Sequence, residues 1–260
     1  MSNKDYEPIN LEQSNFYRHE LQGYEVDNIL NVFNGFVEAV NGRINDGKEA
    51  TVYLCKPTAE SWTSGLVKHK YLAAKMYKAN KFRGFENDRS YRNFDKFKDK
   101  RLAKVMKKKS KKGQKAFRNH WIESEWDYLN LLHDAGVNCP KPYALYDDGI
   151  LMSCFLEAEV AAPRLIDCML TNAEAEVVLN DIINDVKLMA ENNIVHGDLS
   201  AYNILFNGVQ HCIIDIPQAV DIRITPDAYN LFQRDLQNLQ KYFNRYDLEV
   251  PVAALLQEVF

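Results

Sequence analysis

A predicted β-hairpin late in the chain places the strongest constraint on how this sequence can fold. The apolar runs Ile204–Phe206 and Val209–Ile214 flank Asn207-Gly208, a pair that tolerates the positive φ angles of a tight hairpin turn. Because a hairpin brings the outer ends of its strands together, Asn203 and Asp215 are expected to be neighbours. An amide oxygen beside a carboxylate suits Mg²⁺, which keeps its other positions for water and phosphate.

The loop before this hairpin carries another acid. Apolar residues recur at helical spacing from Val178 to Met189, and Asn192-Asn193 ends that predicted helix. Asp198 follows in the loop, five residues before Asn203. A carboxylate near an acceptor hydroxyl, beside an amide and an acid that hold Mg²⁺ on phosphates, is what a kinase needs. The stretch therefore indicates the catalytic centre of a phosphotransferase.

Composition limits the class of protein. The 260 residues, 46% of them apolar, can form one two-lobed unit or two small domains. No apolar run reaches the length of a membrane span, and the first residues are polar, so we expect no signal peptide, no membrane anchor and a cytoplasmic location. The cysteines contain no Cys-x-x-Cys pair, which predicts buried thiols in a reducing compartment. They are Cys55, Cys139, Cys154, Cys168 and Cys212.

The net charge of −4 conceals a strong segregation of charge. From Lys75 to His120 the chain has 18 Lys and Arg against 4 Asp and Glu, and its aromatic residues are interleaved with this charge. Such a segment can neutralise nucleic-acid phosphates and stack on unpaired bases. The alternative is a solvated flexible insertion whose aromatic residues pack on the domain.

The N-terminal part predicts a loose arm or short helix up to about residue 21, then a helix and a hairpin. Apolar residues recur at helix-like intervals at Ile29, Phe33, Phe36 and Val40. Ile44–Leu54 predicts two strands joined by a turn at Gly47. Backbone N–H groups of a glycine turn can bind phosphates, but a single glycine also fits an ordinary hairpin.

Lys75 lies on an otherwise apolar predicted strand, Tyr71–Tyr77. A buried lysine needs an anionic partner, whereas an edge-strand lysine can reach water. The kinase-like loop downstream favours a lysine that contacts phosphate. A helix predicted from Asn119 carries Glu123 and Glu125, and both are candidates to pair with Lys75.

The segments beyond this helix predict the connection to a second lobe. Ala144–Tyr146 and Ile150–Phe155 predict two strands, and Glu157–Pro163 predicts a hinge against which adenine would stack. Only 45 residues follow Asp215, and they predict two helices at about 227–242 and 252–260. This length has no room for the activation segment and peptide-binding helices of a conventional protein kinase.

These motifs resemble the RIO-type atypical serine protein kinases over about residues 44 to 220. His196–Asn203 and Ile214–Val220 are the most specific pieces. Asn45–Tyr53 is similar to that family's nucleotide loop, which usually reads Ser-Thr-Gly-Lys-Glu-Ala, although Asn45 and Asp46 lack the hydroxyls. The match at Trp121–Glu125 favours Glu125 as the partner of the strand lysine.

The resemblance implies a role for each matching residue. Asp198 would be the catalytic acid facing the acceptor hydroxyl, and Asn203 and Asp215 would bind the metal. Lys75, held by Glu125, would contact the α- and β-phosphates. The other residues implied to contact ATP are Gly47, Lys48, Glu49, Val52, Met152, Cys154 and Phe155.

The implied fold is α+β, a two-lobed protein-kinase-like fold with a trimmed C-terminal lobe. We expect an arm or helix at 1–40, an N-terminal lobe at 41–155 with a basic flexible insertion at 78–118, and a catalytic lobe at 156–260. No winged-helix domain is expected before residue 40, and the short tail resembles a bacterial version of the family.

The implied activity is serine autophosphorylation or ATP hydrolysis with Mg²⁺, or with Mn²⁺. Archaeal and eukaryotic family members act in small ribosomal subunit maturation, so ribosomal RNA is a candidate partner for the basic insertion. Two alternatives stay open. Aminoglycoside-type small-molecule kinases use a similar His-Gly-Asp, Asn and Asp pattern but usually add a large helical lobe, and a nucleotide-controlled RNA-binding switch would account for the basic charge.

Overall fold

A five-stranded antiparallel sheet forms the N-terminal part of the chain. The computed structural model describes residues 21–78, 111–146, 148–157 and 160–260, so the expected arm and most of the basic insertion lie outside the described residues. The strands are β1 (Val37–Asp46), β2 (Ala50–Pro57), β3 (Leu72–Tyr77), β4 (Pro142–Tyr146) and β5 (Gly149–Ser153). Their order is β1-β2-β3-β5-β4, which makes β3 the central strand.

The central strand is buried along its whole length, and this decides the environment of Lys75. All six residues of β3 are buried. Lys75 pairs with Val52 of β2 on one side and with Ile150 of β5 on the other. The lysine is therefore not on a sheet edge, and the alternative of an edge-strand lysine that reaches water is wrong.

The first helix is shorter than the apolar spacing predicts. Helix α1 (Gly23–Val32) ends before Phe36 and Val40, which lie in a turn and in β1. Gly35 adopts φ +84° in that turn, a conformation that a residue with a Cβ rarely takes. Pairing of β1 with β2 continues from there, so sheet formation overrides the helical spacing. A short helix, α2 (Ala59–Thr63), follows β2.

Helix α3 (Lys111–Asp134) packs on this sheet and begins eight residues before the predicted start at Asn119. Gly136, just past its end, adopts φ +89° as expected for a helix-ending glycine. Its core-facing side chains are fully buried, and they fix the face that the helix turns to the sheet. They are Trp121, Ile122, Leu129 and Leu132.

The predicted hairpin is present, although its turn differs from the prediction. Strand β9 (Ile204–Phe206) pairs antiparallel with β10 (His211–Ile213), so the second strand starts later than Val209. Asn207 Oδ1 accepts the N–H groups of Val209 and Gln210 at 3.1 and 2.8 Å, which closes a four-residue loop instead of a two-residue turn. The ends still meet, because Ile214 N donates to Asn203 O at 2.9 Å.

The remaining elements build a mainly helical second part. The predicted hinge, Glu157–Pro163, overlaps the end of β6 (Leu156–Glu157) and contains β7 (Val160–Ala161), and these two strands pair with each other. The helices are α4 (Asn172–Glu191), α5 (Ala228–Phe243) and α6 (Val252–Val259), with 3₁₀ turns at Leu165–Asp167 and Asn244–Tyr246. The short strands β8 (Ile194–Val195) and β11 (Val220–Asp221) pair beside the loop that contains Asp198.

One buried cluster extends from Ala50 in β2 to Leu256 in α6, so the sheet and the helices share a core. All five cysteines are free and four of them are buried, as predicted. In the part of the chain that the structure describes, no helix combines the length and apolar character needed to cross a bilayer.

A buried polar junction connects the end of α3 to the helical part. Asp185 of α4 accepts the backbone N–H of Asn138 at 3.1 Å and bonds to His211 Nε2 at 2.7 Å. The Asn138 carbonyl accepts Ile213 N at 2.7 Å. The loop after α3 is therefore bonded to both α4 and the hairpin.

We expect Asp185→Ala to lower the free energy of unfolding by about 3 kcal/mol, because it leaves the buried donors of Asn138 and His211 without an acceptor. Urea unfolding measures the effect. Asp181→Ala, which removes an exposed acid from the same helix, should change the free energy by less than about 0.5 kcal/mol. Equal effects of the two variants would contradict this account of the junction.

Candidate active site

The buried ammonium of Lys75 is the centre of the site. Its Nζ lies 2.6 Å from Glu125 Oε1 and 2.9 Å from Asp215 Oδ1. Glu123 is exposed on the same helix as Glu125, so the structure decides between the two candidate partners in favour of Glu125. Strand β3, helix α3 and the end of the hairpin thus meet at one side chain.

The ion pairs shift the protonation equilibria of the three groups. Burial opposes charge on Lys75, but the Asp215 and Glu125 carboxylates outweigh it and raise the pKa of the ammonium. The Lys75 ammonium holds the pKa of the Asp215 carboxyl below its ordinary value. Burial raises the pKa of Glu125, and Lys75 offsets part of that effect. The arrangement favours a charged lysine between two carboxyl groups.

Asp198 and Asn203 are joined directly in the loop between β8 and β9. Asn203 Nδ2 donates to the Asp198 carbonyl at 2.8 Å and to its Oδ2 at 3.2 Å. Partial burial raises the pKa of the Asp198 carboxyl, although His196 and Asn203 oppose the shift. The Asn203 amide therefore orients the carboxylate that the sequence predicts to face an acceptor.

His196 makes contacts through both ring nitrogens that fix the same loop. Its Nε2 is 3.2 Å from the Ile214 carbonyl oxygen, and its Nδ1 is 3.3 Å from Asp198 N. A neutral ring with the proton on Nε2 satisfies both contacts. Burial lowers the pKa of His196, which agrees with a neutral ring that links the loop to the strand before Asp215.

Asp235 holds the loop backbone, and the sequence reasoning missed it. Its carboxylate accepts Gly197 N at 2.7 Å and Leu199 N at 2.9 Å from both sides of Asp198. It lies on the buried face of α5, next to Leu236. An acid on the apolar face of an amphipathic helix is the signal that could have identified it.

The predicted nucleotide loop is closed by internal contacts. Asp46 bonds to Lys78 Nζ and accepts Thr51 Oγ1 at 2.8 Å. Lys78 Nζ also donates to the Gly47 carbonyl at 2.8 Å. Asp46, which differs from the residue usual at this position in the resembled family, therefore has a structural function: it fixes the turn between β1 and β2.

The other residues predicted to contact nucleotide lie in the turn before β2, on β2, and at or just after the end of β5. Lys48 is exposed, and no described residue forms an ion pair with it. Glu49 O accepts Lys78 N at 2.8 Å, and Val52 lies beside Lys75 in the sheet. Further along, Met152 and Cys154 are buried, and Phe155 is half-buried. Met152 pairs with Ala73 of β3, which places this group near the lysine.

The side chains between the hairpin ends fit a Mg²⁺ ion. Asp215 is 48% exposed and uses Oδ1 for Lys75, while Asn203 Oδ1 accepts no hydrogen bond from any described residue. No group of three or more His, Cys, Asp or Glu side chains among the described residues is arranged to hold a metal. A cation here would take its other ligands from water and phosphate, as Mg²⁺ does in nucleotide sites.

The family model and the similar curated proteins all point to the same protein family. The RIO domain family model matches residues 52–255. The chain is 28% identical over 231 residues to serine/threonine-protein kinase rio1 of Dictyostelium discoideum, covering 87% of this chain and 36% of that protein. It is 33% identical over 129 residues to RIO-type serine/threonine-protein kinase Rio1 of Thermoplasma acidophilum, covering 50% of this chain and 66% of that one. The chain thus spans less than two thirds of these relatives.

Solved structures show the same fold. The crystal structure of the Rio2 kinase-ADP/Mg²⁺-phosphoaspartate complex from Chaetomium thermophilum matches with a TM-score of 0.60 and 18% identity, covering 91% of this chain and 65% of that one. A second Rio2 kinase structure from the same organism matches with a TM-score of 0.59. The predicted α+β protein-kinase-like fold is confirmed.

The buried carboxyl group of Asp235 should give the protein a measurable pH dependence of stability. Burial raises its pKa from 3.8 to about 7, so the folded state retains a proton that the unfolded state releases. The resulting stabilisation is complete below pH about 4 and is lost as the pH rises to about 7.

We therefore expect the free energy of unfolding of the wild type, relative to Asp235→Asn, to fall as pH rises through this window. Urea unfolding at pH steps from about 4 to about 7.5 measures it. Asp227→Asn, at the start of the same helix, should keep the wild-type pH dependence. Parallel curves for the wild type and Asp235→Asn would refute the assignment.

Proposed function

Because the chain belongs to the RIO domain family, we propose that it is an ATP- and Mg²⁺-dependent serine/threonine protein kinase. The observation that carries the proposal is the ammonium of Lys75, bonded at 2.6 Å to Glu125 and at 2.9 Å to Asp215. Relatives of this chain are named serine/threonine-protein kinases, and the fold supports the same chemistry.

The nucleotide would bind between an N-terminal lobe at 41–155 and a C-terminal lobe at 156–260. The adenine site would comprise Val52 together with Met152, Cys154 and Phe155 at the end of β5. Gly47, Lys48 and Glu49 would cover the phosphates from the turn between β1 and β2. The strand register supports this placement, since Val52 and Lys75 are paired across neighbouring strands.

Lys75 is suited to contact phosphate because an ammonium has three donors and two are already directed at carboxylates. The third can bind a phosphate oxygen without breaking either ion pair. Asn203 and Asp215 would hold Mg²⁺, which when bound neutralises the phosphate charge that develops during transfer. Mn²⁺ could use the same oxygen ligands.

Asp198 would orient the acceptor hydroxyl in line with the γ-phosphate and accept its proton. Its carboxylate is fixed by Asn203, and its backbone is fixed by Asp235 on both sides. With a serine as acceptor the reaction is protein phosphorylation, and with water it is ATP hydrolysis. Both reactions can be followed in one assay, because each has its own labelled product.

The first test follows both products of radiolabelled ATP with Mg²⁺. We expect Asp198→Ala and Asp215→Ala to lower the rate of phosphate transfer at least about 100-fold, because each removes a group that acts on the reacting phosphate or acceptor. Glu125→Ala should lower the rate of phosphate transfer about tenfold or more. Glu123 is an exposed neighbour on α3, and Glu123→Ala should keep the wild-type rate.

The labelled product identifies the acceptor. Label on protein serine supports the kinase, free phosphate alone identifies an ATPase, and saturable transfer to an aminoglycoside or choline would establish a small-molecule kinase instead. Unchanged turnover in Asp198→Ala would overturn the proposed site. The free cysteines agree with the cytoplasm as the compartment in which this activity would operate.

The basic segment supports a second role, contact with ribosomal RNA. Residues 79–110 lie outside the described residues, so the proposal depends on the sequence, where Lys107-Lys108-Lys109 is followed by Lys111-Lys112. Lysines that neutralise RNA phosphates release counterions, and binding then weakens steeply with salt. RNA contact and phosphate transfer are compatible in one protein.

Changing Lys107, Lys108 and Lys109 to Gln should reduce the salt dependence of RNA binding. For three lost phosphate contacts to single-stranded RNA, we expect the slope of log K against log salt to shrink by about 2. Filter binding to ribosomal RNA measures it. A control with Gln at Lys56, Lys68 and Lys241 has the same net charge and should keep the slope; equal slopes in all proteins would exclude this contact.

A further inference from the structure

Tyr77 holds the second oxygen of the Glu125 carboxylate. Its hydroxyl donates to Oε2, while Lys75 bonds to Oε1 at 2.6 Å. Lys75 and Tyr77 are two residues apart on β3, so their side chains extend from the same face of the strand. One strand therefore binds both oxygens of a carboxylate carried by helix α3.

The tyrosine is itself fixed in place. It is buried, with 5% of its surface exposed, and its backbone N–H donates to the Asp148 carbonyl at 2.8 Å. The Lys75 ammonium lies 5.4 Å from the centre of its ring, within the range of a cation–π contact. Tyr77 thus contacts both members of the Lys75–Glu125 ion pair.

We propose that Tyr77 is a positioning residue for phosphate transfer, which orients the Glu125 carboxylate so that Lys75 is directed at the nucleotide phosphates. This inference rests on the proposed kinase function and names a residue on which that function depends. A carboxylate bonded through one oxygen can rotate about its terminal torsion, which is broad. Bonded through both, it holds the ammonium in one place, and small displacements of such a group strongly affect rate.

A second buried tyrosine in the same sheet separates positioning from general stabilisation. Tyr53 of β2 donates its hydroxyl to Glu25 Oε1 at 2.7 Å, and Glu25 also bonds to Arg43 at 2.9 Å. Tyr53 belongs to the apolar cluster under α1, whereas Tyr77 belongs to the cluster that extends to the helices. The two tyrosines make the same kind of bond, but only Tyr77 bonds to the partner of Lys75.

The experiment compares Tyr77→Phe with Tyr53→Phe. Each variant loses one hydroxyl and one bond to a glutamate, so both should melt at lower temperature than the wild type. In the radiolabelled-ATP assay with Mg²⁺, we expect Tyr77→Phe to lower kcat about tenfold and to change KM for ATP less than about threefold, because it disturbs alignment more than binding. Tyr53→Phe should keep the wild-type kcat and KM.

A double-mutant cycle tests whether Tyr77 acts through Glu125. In a Glu125→Ala background the hydroxyl has lost its acceptor, so adding Tyr77→Phe should change kcat less than about twofold. A wild-type kcat in Tyr77→Phe, an equal loss in Tyr53→Phe, or an undiminished loss in the Glu125→Ala background would each overturn the inference. A wild type without any turnover would instead overturn the proposed function, and the inference with it.

Discussion

The rest of the structure depends on the charge of one buried lysine. An ammonium in the middle of a fully buried strand is strongly unfavourable unless anionic partners reach it. Those partners come from far along the chain, since Glu125 is 50 and Asp215 is 140 residues from Lys75. The sheet, helix α3 and the hairpin must therefore all be in place before the lysine is satisfied. The ion pairs connect the two halves of the fold, in addition to any role in the proposed phosphate site.

Helix α3 is fixed by contacts at both of its ends as well as by Glu125. Near its start, Arg118 bonds to Asp148 in the turn between β4 and β5, and the carbonyl of the same Asp148 accepts Tyr77 N. Beyond its end, Asn138 bonds to Asp185 of α4. The helix is thus attached to the sheet at one end and to the helical part at the other. A change in the angle between the two parts would move Glu125, and with it Lys75.

The features that could be predicted from the sequence are those that depend on residues close together in the chain. Asn203 and Asp215 could be placed together because a short hairpin forces its ends to meet, even though the turn between them was predicted wrongly. Phe36 and Val40 could not be placed correctly, because their spacing is helical and only the glycine turn and strand pairing override it. Asp185 and Asp235 were missed for another reason. Their partners lie far along the chain: Asp185 bonds to Asn138 and to the His211 ring, and Asp235 bonds to the backbone on both sides of Asp198. Hydrophobic periodicity can mark such an acid as buried, but it carries no information about which distant group it contacts.

The backbone of Asp215 shows how the ion pair and the loop support one another. Asp215 adopts φ +64°, a left-handed conformation that an aspartate tolerates better than most residues but that still needs support from its surroundings. Two contacts support this conformation. The backbone N–H of the preceding residue, Ile214, donates to Asn203 O, and Lys75 donates to the Asp215 side chain at Oδ1. Without the lysine the carboxylate would lose the interaction that directs it, and the left-handed residue would have less reason to persist. The lysine that is proposed to contact phosphate would therefore also direct the remaining carboxylate oxygen toward the proposed metal, so the two proposed functions cannot be separated by substitution at Lys75 alone.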